Sequence, residues 1–168
     1  MRPASLRAVL APALIDPSQR APIRRATRDD CAALVELENS VFAIERMSAR
    51  QWRRHLESPS AQILVATRER RLVGAAVLFF RRSHRIARLY SIAVAHDERG
   101  NGTGEALLET AERAARKRGS RSLRLEVRRD NVGAQRLYER HGYQRVGVRV
   151  GYYEDGHAAV RYEKVLRA

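Results

Sequence analysis

The stretch from Arg88 to Leu108 most constrains what this 168-residue chain can fold into. An apolar run over Leu89–Ala95 predicts a strand, and a helix is predicted to follow the next turn. That turn has glycines at three alternate positions, Gly100, Gly102 and Gly104, which let the backbone fold tightly and approach a ligand closely. Free amides in such a turn, together with the positive end of the next helix, favour an anion. The stretch therefore predicts a strand, a turn that binds phosphate groups, and a helix.

Two common nucleotide-binding loops do not fit this turn. The phosphate loop of NTPases ends in Gly-Lys-Ser/Thr, and the chain contains no Gly-Lys pair. The dinucleotide fingerprint G-x-G-x-x-G fits at Gly100 and Gly102, but Glu105 stands where its third glycine should be. The pattern that remains is Arg99-x-x-Gly102-x-Gly104. From these residues alone, an ordinary surface turn before a helix stays the alternative interpretation.

The rest of the sequence indicates one globular domain with one core. The chain is 44% hydrophobic but has no apolar run near the ~20 residues that cross a bilayer, so no membrane association is predicted. Its one cysteine, Cys31, excludes an internal disulfide, and five histidines without metal-ligand spacing predict no metal site. Of 33 basic residues only Lys117 and Lys164 are lysines, so 31 are arginines, and the net charge is +14. This charge favours polyanionic ligands, but no common RNA-binding motif accompanies it, so direct nucleic-acid binding is not expected.

Periodicity and capping residues predict eleven elements in the order β-α-α-β-β-β-α-β-α-β-β. Thr27 and Ser48 look like helix N-caps, because Asp30 and Gln51 follow three positions later. Arg68 to Arg71 form a charged turn between two apolar strands. The predicted strands are 23–26, 62–67, 72–80, 89–95, 122–127, 143–150 and 158–166, and the predicted helices are 28–39, 48–56, 102–118 and 131–141. This order predicts a mixed α/β fold whose sheet has parallel and antiparallel pairs.

The domain boundary is predicted near residue 22. Residues 1–21 carry three of the five prolines and lie before the first strand. We interpret residues 1–21 as a flexible extension and residues 22–168 as the single folded domain.

A second motif follows the strand at 122–127. Leu123, Leu125 and Val127 alternate, so Glu126 must point to the opposite face of the sheet. Asn131-Val-Gly-Ala134 and the run Leu137-Tyr-Glu-Arg-His-Gly-Tyr143 come next. Together with the Arg99–Gly104 pattern, these segments resemble the GNAT family of N-acetyltransferases over about residues 23–166. Within that family the chain is most similar to the RimI-type enzymes, which acetylate protein N-termini, ribosomal proteins included.

The resemblance implies a GNAT fold and acetyl-coenzyme A as co-substrate. It implies Glu126 as the general base and Tyr138 as the proton donor to the departing thiol. It also implies an acceptor site near Tyr152 and Tyr153. The implied acetyl-coenzyme A contacts are the backbone of Ile92, Ala93 and Val94, the turn Arg99, Gly100, Asn101, Gly102, Thr103, Gly104 and Glu105, and the side chains of Asn131 and Tyr138. Thr103 departs from the more usual aliphatic residue.

Function is therefore predicted as direct acetyl transfer to an amine, with a protein N-terminus as the first choice of acceptor. A protein lysine or a small amine is the alternative acceptor. A non-catalytic sensor of acyl-coenzyme A is the alternative of another class. The cysteine content is compatible with a reducing cytoplasm, where we expect the enzyme to act. The sequence leaves the oligomeric state open, a homodimer included.

Overall fold

The computed structural model describes residues 16–167, and its elements follow the predicted order. Helix α1 begins at Cys31, three residues later than predicted, because Arg28–Asp30 form a separate 3-10 turn. The helices are α1 (Cys31–Val41), α2 (Ala49–Glu57), α3 (Thr103–Lys117) and α4 (Val132–Arg140). The strands are β1 (Ile23–Arg25), β2 (Ala61–Arg68), β3 (Arg71–Phe79), β4 (Ile86–Val94), β5 (Ser122–Arg128), β6 (Gln144–Arg149) and β7 (Ala159–Val165).

Seven strands form one sheet in the order β1-β2-β3-β4-β5-β7-β6. Neighbours are antiparallel except β4 and β5, which are parallel and joined by the α3 crossover. These two strands pair only over Ile86–Arg88 and Ser122–Arg124. Beyond Arg88 they separate, and the edge of β4 that faces β5 has no strand partner. The sheet therefore opens into a V-shaped gap between its two central strands.

Helices α3 and α4 cover one face of the sheet. Lys164 and Tyr162 of β7 lie on this face, opposite Leu123 and Leu125 of β5 in the register. The Lys164 ammonium donates to Glu112 of α3 at 2.9 Å, and the Tyr162 hydroxyl donates to Glu139 of α4 at 2.8 Å. Because side chains alternate along a strand, Arg124 and Glu126 lie on the other face.

Helices α1 and α2 cover part of that other face. Helix α1 packs against β3 and β4, and α2 packs against β2. The ring of His55 on α2 lies 4.8 Å from the ring of Phe79, which is opposite Arg88 in the register. Among the residues that the structure describes, neither helix packs extensively against β5 or β7. This half of the face is therefore left open around Arg88, Arg124 and Glu126.

The capping residues act as predicted at the start of α2. The Gln51 N–H donates to the Ser48 hydroxyl at 3.3 Å, and the Ser48 N–H donates to the Gln51 side chain at 2.8 Å. Before α1, the Thr27 N–H donates to the Asp30 carboxylate at 2.8 Å. These bonds satisfy amides that have no partner inside a helix.

Residues 16–21 are the described part of the predicted N-terminal extension, and residues 1–15 lie outside the described residues. Arg20 forms an ion pair with Glu109 of α3 at 3.0 Å, and Ala21 is buried. Arg68 of β2 donates to the Gln19 carbonyl at 2.9 Å. The boundary near residue 22 stays a prediction. Within 16–167, no helix is long and apolar enough to cross a membrane.

Candidate active site

The glycine-rich turn joins β4 to α3 and adopts the backbone conformation that its sequence predicts. Gly100 has φ +82° and Gly102 has φ +72°, values that side-chain-bearing residues rarely adopt. Gly102 is the N-cap of α3, so the first amides of that helix have no helical acceptor. A Cβ atom at Gly100 would meet nothing within 4 Å, so the turn borders open space. The turn therefore offers free N–H groups and a helix N-terminus to an anion.

A buried carboxylate that the sequence analysis did not single out fixes this turn. Glu98 is 3% exposed, and it accepts hydrogen bonds from Arg68 of β2 at 2.7 Å and from the Thr103 hydroxyl at 3.0 Å. Burial raises the pKa of Glu98, but the bonds from Arg68 and Thr103 outweigh it and hold the pKa below its usual value. The threonine at 103 thus anchors the start of α3 to Glu98, a contact that an aliphatic residue cannot make.

The gap between β4 and β5 lies next to this turn. Ile92, Ala93 and Val94 lie on the part of β4 that has separated from β5. Their strand pairs with β3 on its other side, and the register shifts by one residue near Tyr90. The β5-facing backbone groups are therefore free to bind an extended ligand as a strand would. Bulges of this kind are common next to active sites.

Glu126 lies on β5 where the gap opens, on the face that α1 and α2 leave uncovered. It is 7% exposed. Its Oε2 lies 3.0 Å from a guanidinium nitrogen of Arg88 on β4, and its Oε1 lies 3.3 Å from one of Arg161 on β7. Both arginines escaped the sequence analysis. The signal for Arg161 is its register with Glu126 across β5 and β7.

A cavity of about 560 Å³ opens above Glu126. Tyr152 lines it, and the Tyr152 hydroxyl accepts a hydrogen bond from Arg88 at 2.8 Å. Burial, with Glu126 nearby, raises the pKa of Tyr152 to about 12. The other lining residues are Phe79, Arg81, His84, Ile86, Arg88, Arg124, Arg149 and Arg161. The structure therefore brings Tyr152 and Glu126 to one cavity.

Tyr153, in contrast, does not line this cavity. Its side chain is 2% exposed and packs at right angles to Tyr152, with ring centres 5.1 Å apart. The guanidinium of Arg128 lies 5.2 Å from the centre of the Tyr153 ring. The adjacent tyrosines thus have different surroundings, and only Tyr152 borders the space above Glu126.

Tyr138 lies on α4, on the opposite face of the sheet from Glu126. Its ring packs edge-on against Tyr143 at 5.5 Å and also lies near Tyr162. The side chain is fully buried, and its hydroxyl has no hydrogen-bond partner among residues 16–167. Burial raises the pKa of Tyr138, so the phenol stays protonated. A buried hydroxyl without a partner is costly and points to a missing ligand.

Asn131 caps α4, since its side-chain oxygen accepts from the Ala134 N–H at 3.1 Å. That bond gives Asn131 a structural role, and its predicted contact with acetyl-coenzyme A stays a prediction. No group of three or more histidine, cysteine or acidic side chains in residues 16–167 could hold a metal ion.

These features fit an extended thioester ligand that carries a pyrophosphate. The turn and the α3 N-terminus suit the pyrophosphate, the free edge of β4 suits a chain of amides, and the Tyr138 hydroxyl suits a sulfur atom. Together with the split sheet they define an acyltransferase that uses a nucleotide thioester.

Comparison with known proteins identifies the family. The acetyltransferase (GNAT) domain model matches residues 27–166. The chain belongs to the GNAT family of acetyltransferases and is an acetyl-coenzyme A-dependent N-acetyltransferase of the RimI-like type.

Its relatives narrow the resemblance further. The chain is 31% identical over 136 residues to a Bacillus subtilis protein whose name assigns it to the ribosomal protein bS18-alanine N-acetyltransferases, covering 81% of this chain and 89% of that protein. It is 43% identical over 67 residues to the ribosomal protein bS18-alanine N-acetyltransferase of Escherichia coli, covering 40% of this chain and 45% of that enzyme. The crystal structure of the Escherichia coli ribosomal-protein-S18-alanine N-acetyltransferase superposes with a TM-score of 0.79 at 27% identity, covering 88% of this chain and 94% of that chain.

Proposed function

We propose that this enzyme transfers the acetyl group of acetyl-coenzyme A to the α-amino group of a protein N-terminus. One observation carries the proposal: two proton-transfer groups, Glu126 and Tyr138, lie on opposite faces of a sheet that is split between β4 and β5. This arrangement lets an amine approach from one face and a thioester from the other.

The glycine turn and the free edge of β4 would hold acetyl-coenzyme A. Arg99 and the amides from Gly100 to Glu105 would bind the pyrophosphate. The backbone of Ile92–Val94 would bind the amide-bearing arm, with Asn131 nearby, and an amide in that segment would polarise the thioester carbonyl. When bound, acetyl-coenzyme A supplies an acetyl group activated as a thioester.

Glu126 would take the proton that the amine loses. An amine attacks a carbonyl only when it is unprotonated, and a free α-amino group has a pKa of about 8 against about 10.4 for lysine. The Glu126 carboxylate faces the cavity and is fixed by Arg88 and Arg161. It would accept the proton directly or through a water molecule.

Tyr138 would protonate the sulfur that departs. In the overall transfer a nitrogen–carbon bond forms, the carbon–sulfur bond breaks, and one proton moves from nitrogen to sulfur by way of these two side chains. The Tyr138 hydroxyl is suited to donate, because burial keeps it protonated and no described residue accepts its hydrogen.

The relatives favour an N-terminal alanine as the acceptor. Those named above act, by their names, on the alanine of ribosomal protein bS18. The arginines around Glu126 add a physical reason to prefer an α-amine over a lysine. Nearby positive charges disfavour the protonated amine, and an α-amine starts about two pKa units closer to neutrality. A ribosomal-protein acceptor would place the enzyme in the cytoplasm.

The test uses two peptides of identical sequence that contain one internal lysine. One has a free N-terminal alanine, and the other has that amine already acetylated. Mass spectrometry should find one new acetyl group on the α-amine of the first peptide and coenzyme A released in equal amount. Acetylation of the lysine in both peptides would contradict the proposal, and binding of acetyl-coenzyme A without turnover would favour the sensor alternative.

A further inference from the structure

The cavity above Glu126 is strongly basic, and this property goes beyond the proposed function on which the inference rests. Its lining includes five arginines but only one carboxylate, Glu126 itself. Arg88 and Arg161 share that carboxylate. Arg124 forms an ion pair with Glu163 at 2.7 Å. Two arginines then remain without an acidic partner.

Those two are Arg81 and Arg149, both exposed to solvent. Neither forms an ion pair with any residue in 16–167. Arg149 lies at the end of β6, with its guanidinium 6.0 Å from the centre of the Tyr152 ring. A third unused donor is the Nε–H of Arg161, which is buried without a hydrogen-bond partner in the same range. The cavity thus carries excess positive charge with free N–H donors.

The positions of these arginines bracket Glu126. Arg81 follows the end of β3, and Arg149 ends β6, so they approach the cavity from opposite sides of the sheet order β3-β4-β5-β7-β6. Glu126 lies between them on β5. A peptide whose N-terminal nitrogen reaches Glu126 therefore places its next residues among guanidinium groups.

We propose that the acceptor site selects N-termini with acidic side chains directly after the first residue. Guanidinium groups bind carboxylates through charge-assisted hydrogen bonds, often two at once. Basic side chains at the same peptide positions meet like charges and are rejected. An acidic peptide supplies the carboxylates that Arg81 and Arg149 lack, and it leaves Glu126 free to receive the amine proton.

The test compares three heptapeptides that differ only at positions two and three. They begin Ala-Glu-Glu, Ala-Gln-Gln and Ala-Arg-Arg. The glutamate peptide should have a roughly tenfold higher kcat/KM than the glutamine peptide, mostly through KM, because each charged contact at an exposed site changes binding about two- to fivefold. The arginine peptide should be the poorest acceptor. Raising the salt from about 0.1 M to about 1 M should reduce these differences.

Variants assign the effect to the cavity. Arg149→Gln and Arg81→Gln should each raise KM for the glutamate peptide roughly two- to fivefold and leave the glutamine peptide unchanged. Arg113→Gln is the matched control, since Arg113 is exposed on α3, on the other face of the sheet, and its loss lowers the net charge equally. The control should show the selectivity of the parent.

The outcomes separate this inference from the proposed function. Efficient turnover of all three peptides with equal kcat/KM, or preference for the arginine peptide, overturns the acidic selectivity and leaves N-terminal acetylation standing. An equal loss in Arg113→Gln assigns the selectivity to net charge and also overturns it. No turnover of any peptide overturns the proposed function, and the inference falls with it.

Discussion

Replacing Tyr138 by phenylalanine should stabilise the free protein while it slows the reaction. The Tyr138 hydroxyl is fully buried without a hydrogen-bond partner among residues 16–167. Such a group costs about 1–3 kcal/mol of folding free energy, and removing it leaves a void of only one oxygen atom. We therefore expect the free energy of unfolding to rise by about 1 kcal/mol, which raises Tm by roughly 2–4 °C for a chain of this size.

Tyr143 provides the matched control in the same aromatic cluster. Its ring contacts that of Tyr138, but its hydroxyl donates to the buried Glu112 carboxylate at 3.1 Å. Tyr143→Phe loses this bond to a charged group, so the free energy of unfolding should fall by about 1.5–3 kcal/mol. The same chemical change should thus shift stability in opposite directions at two touching residues.

The assay combines thermal unfolding without ligand and turnover with saturating acetyl-coenzyme A. Tyr138→Phe should raise Tm and lower turnover by ~10²–10⁴-fold, since the proton donor is absent. Tyr143→Phe should lower Tm and keep turnover within a few fold of the parent. A loss of stability in Tyr138→Phe as large as that in Tyr143→Phe would show that the hydroxyl has a partner, and parent-like turnover would remove Tyr138 from the proton transfer.

Three further predictions follow from single contacts. Gly102→Ala places a side chain at φ +72°, which should cost about 1–2 kcal/mol and reduce the Tm increase that acetyl-coenzyme A produces in thermal unfolding. Burial raises the pKa of Glu38 from 4.5 to about 7, against the bond that the Met47 N–H donates to it. The folded state therefore binds this proton more tightly than the unfolded chain. Stability measured by urea unfolding should fall, by on the order of 3 kcal/mol, as pH rises from about 4.5 to about 7, and Glu38→Gln should remove that slope. Lys164→Met leaves the buried Glu112 carboxylate without its cation and should cost about 3–5 kcal/mol in the same assay at neutral pH. An unchanged ligand-induced Tm shift, a persistent slope or an unchanged midpoint would contradict the first, second and third prediction in turn.

Local sequence patterns predicted most of the fold. The helices with clear N-caps and the strands with apolar runs lie within a few residues of their predicted bounds. Alternation in β5 correctly placed Glu126 on the face opposite Leu125. The start of α1 was wrong by three residues, because the bond between Thr27 and Asp30 closes a 3-10 turn before the helix.

The surroundings of Glu126 could not be predicted, because long-range pairing creates them. Arg88 and Arg161 are far apart in sequence and meet Glu126 only through the registers of β4, β5 and β7. Among 31 arginines, nothing local distinguishes these two. The same holds for Glu98, whose partner Arg68 lies 30 residues earlier.

The two loop tyrosines illustrate a finer limit. The motif predicted acceptor contacts for both Tyr152 and Tyr153, since adjacent residues in a loop have no fixed orientation. The structure places Tyr152 at the cavity and buries Tyr153 against Arg128. A role for Tyr153 in direct acceptor contact stays a prediction.

The central claim is that the amine gives its proton to Glu126. The most direct test is a pH series of turnover with one alanine-terminated peptide for the parent, Glu126→Gln and the control Glu36→Gln, whose exposed carboxylate lies on α1. All three should bind acetyl-coenzyme A equally well. Near pH 7, Glu126→Gln should be ~10²–10⁴-fold slower than the parent, while Glu36→Gln should match it. The deficit should shrink as pH passes the amine pKa of about 8, because more of the amine is then already neutral. Parent-like turnover of Glu126→Gln across the series would contradict the account.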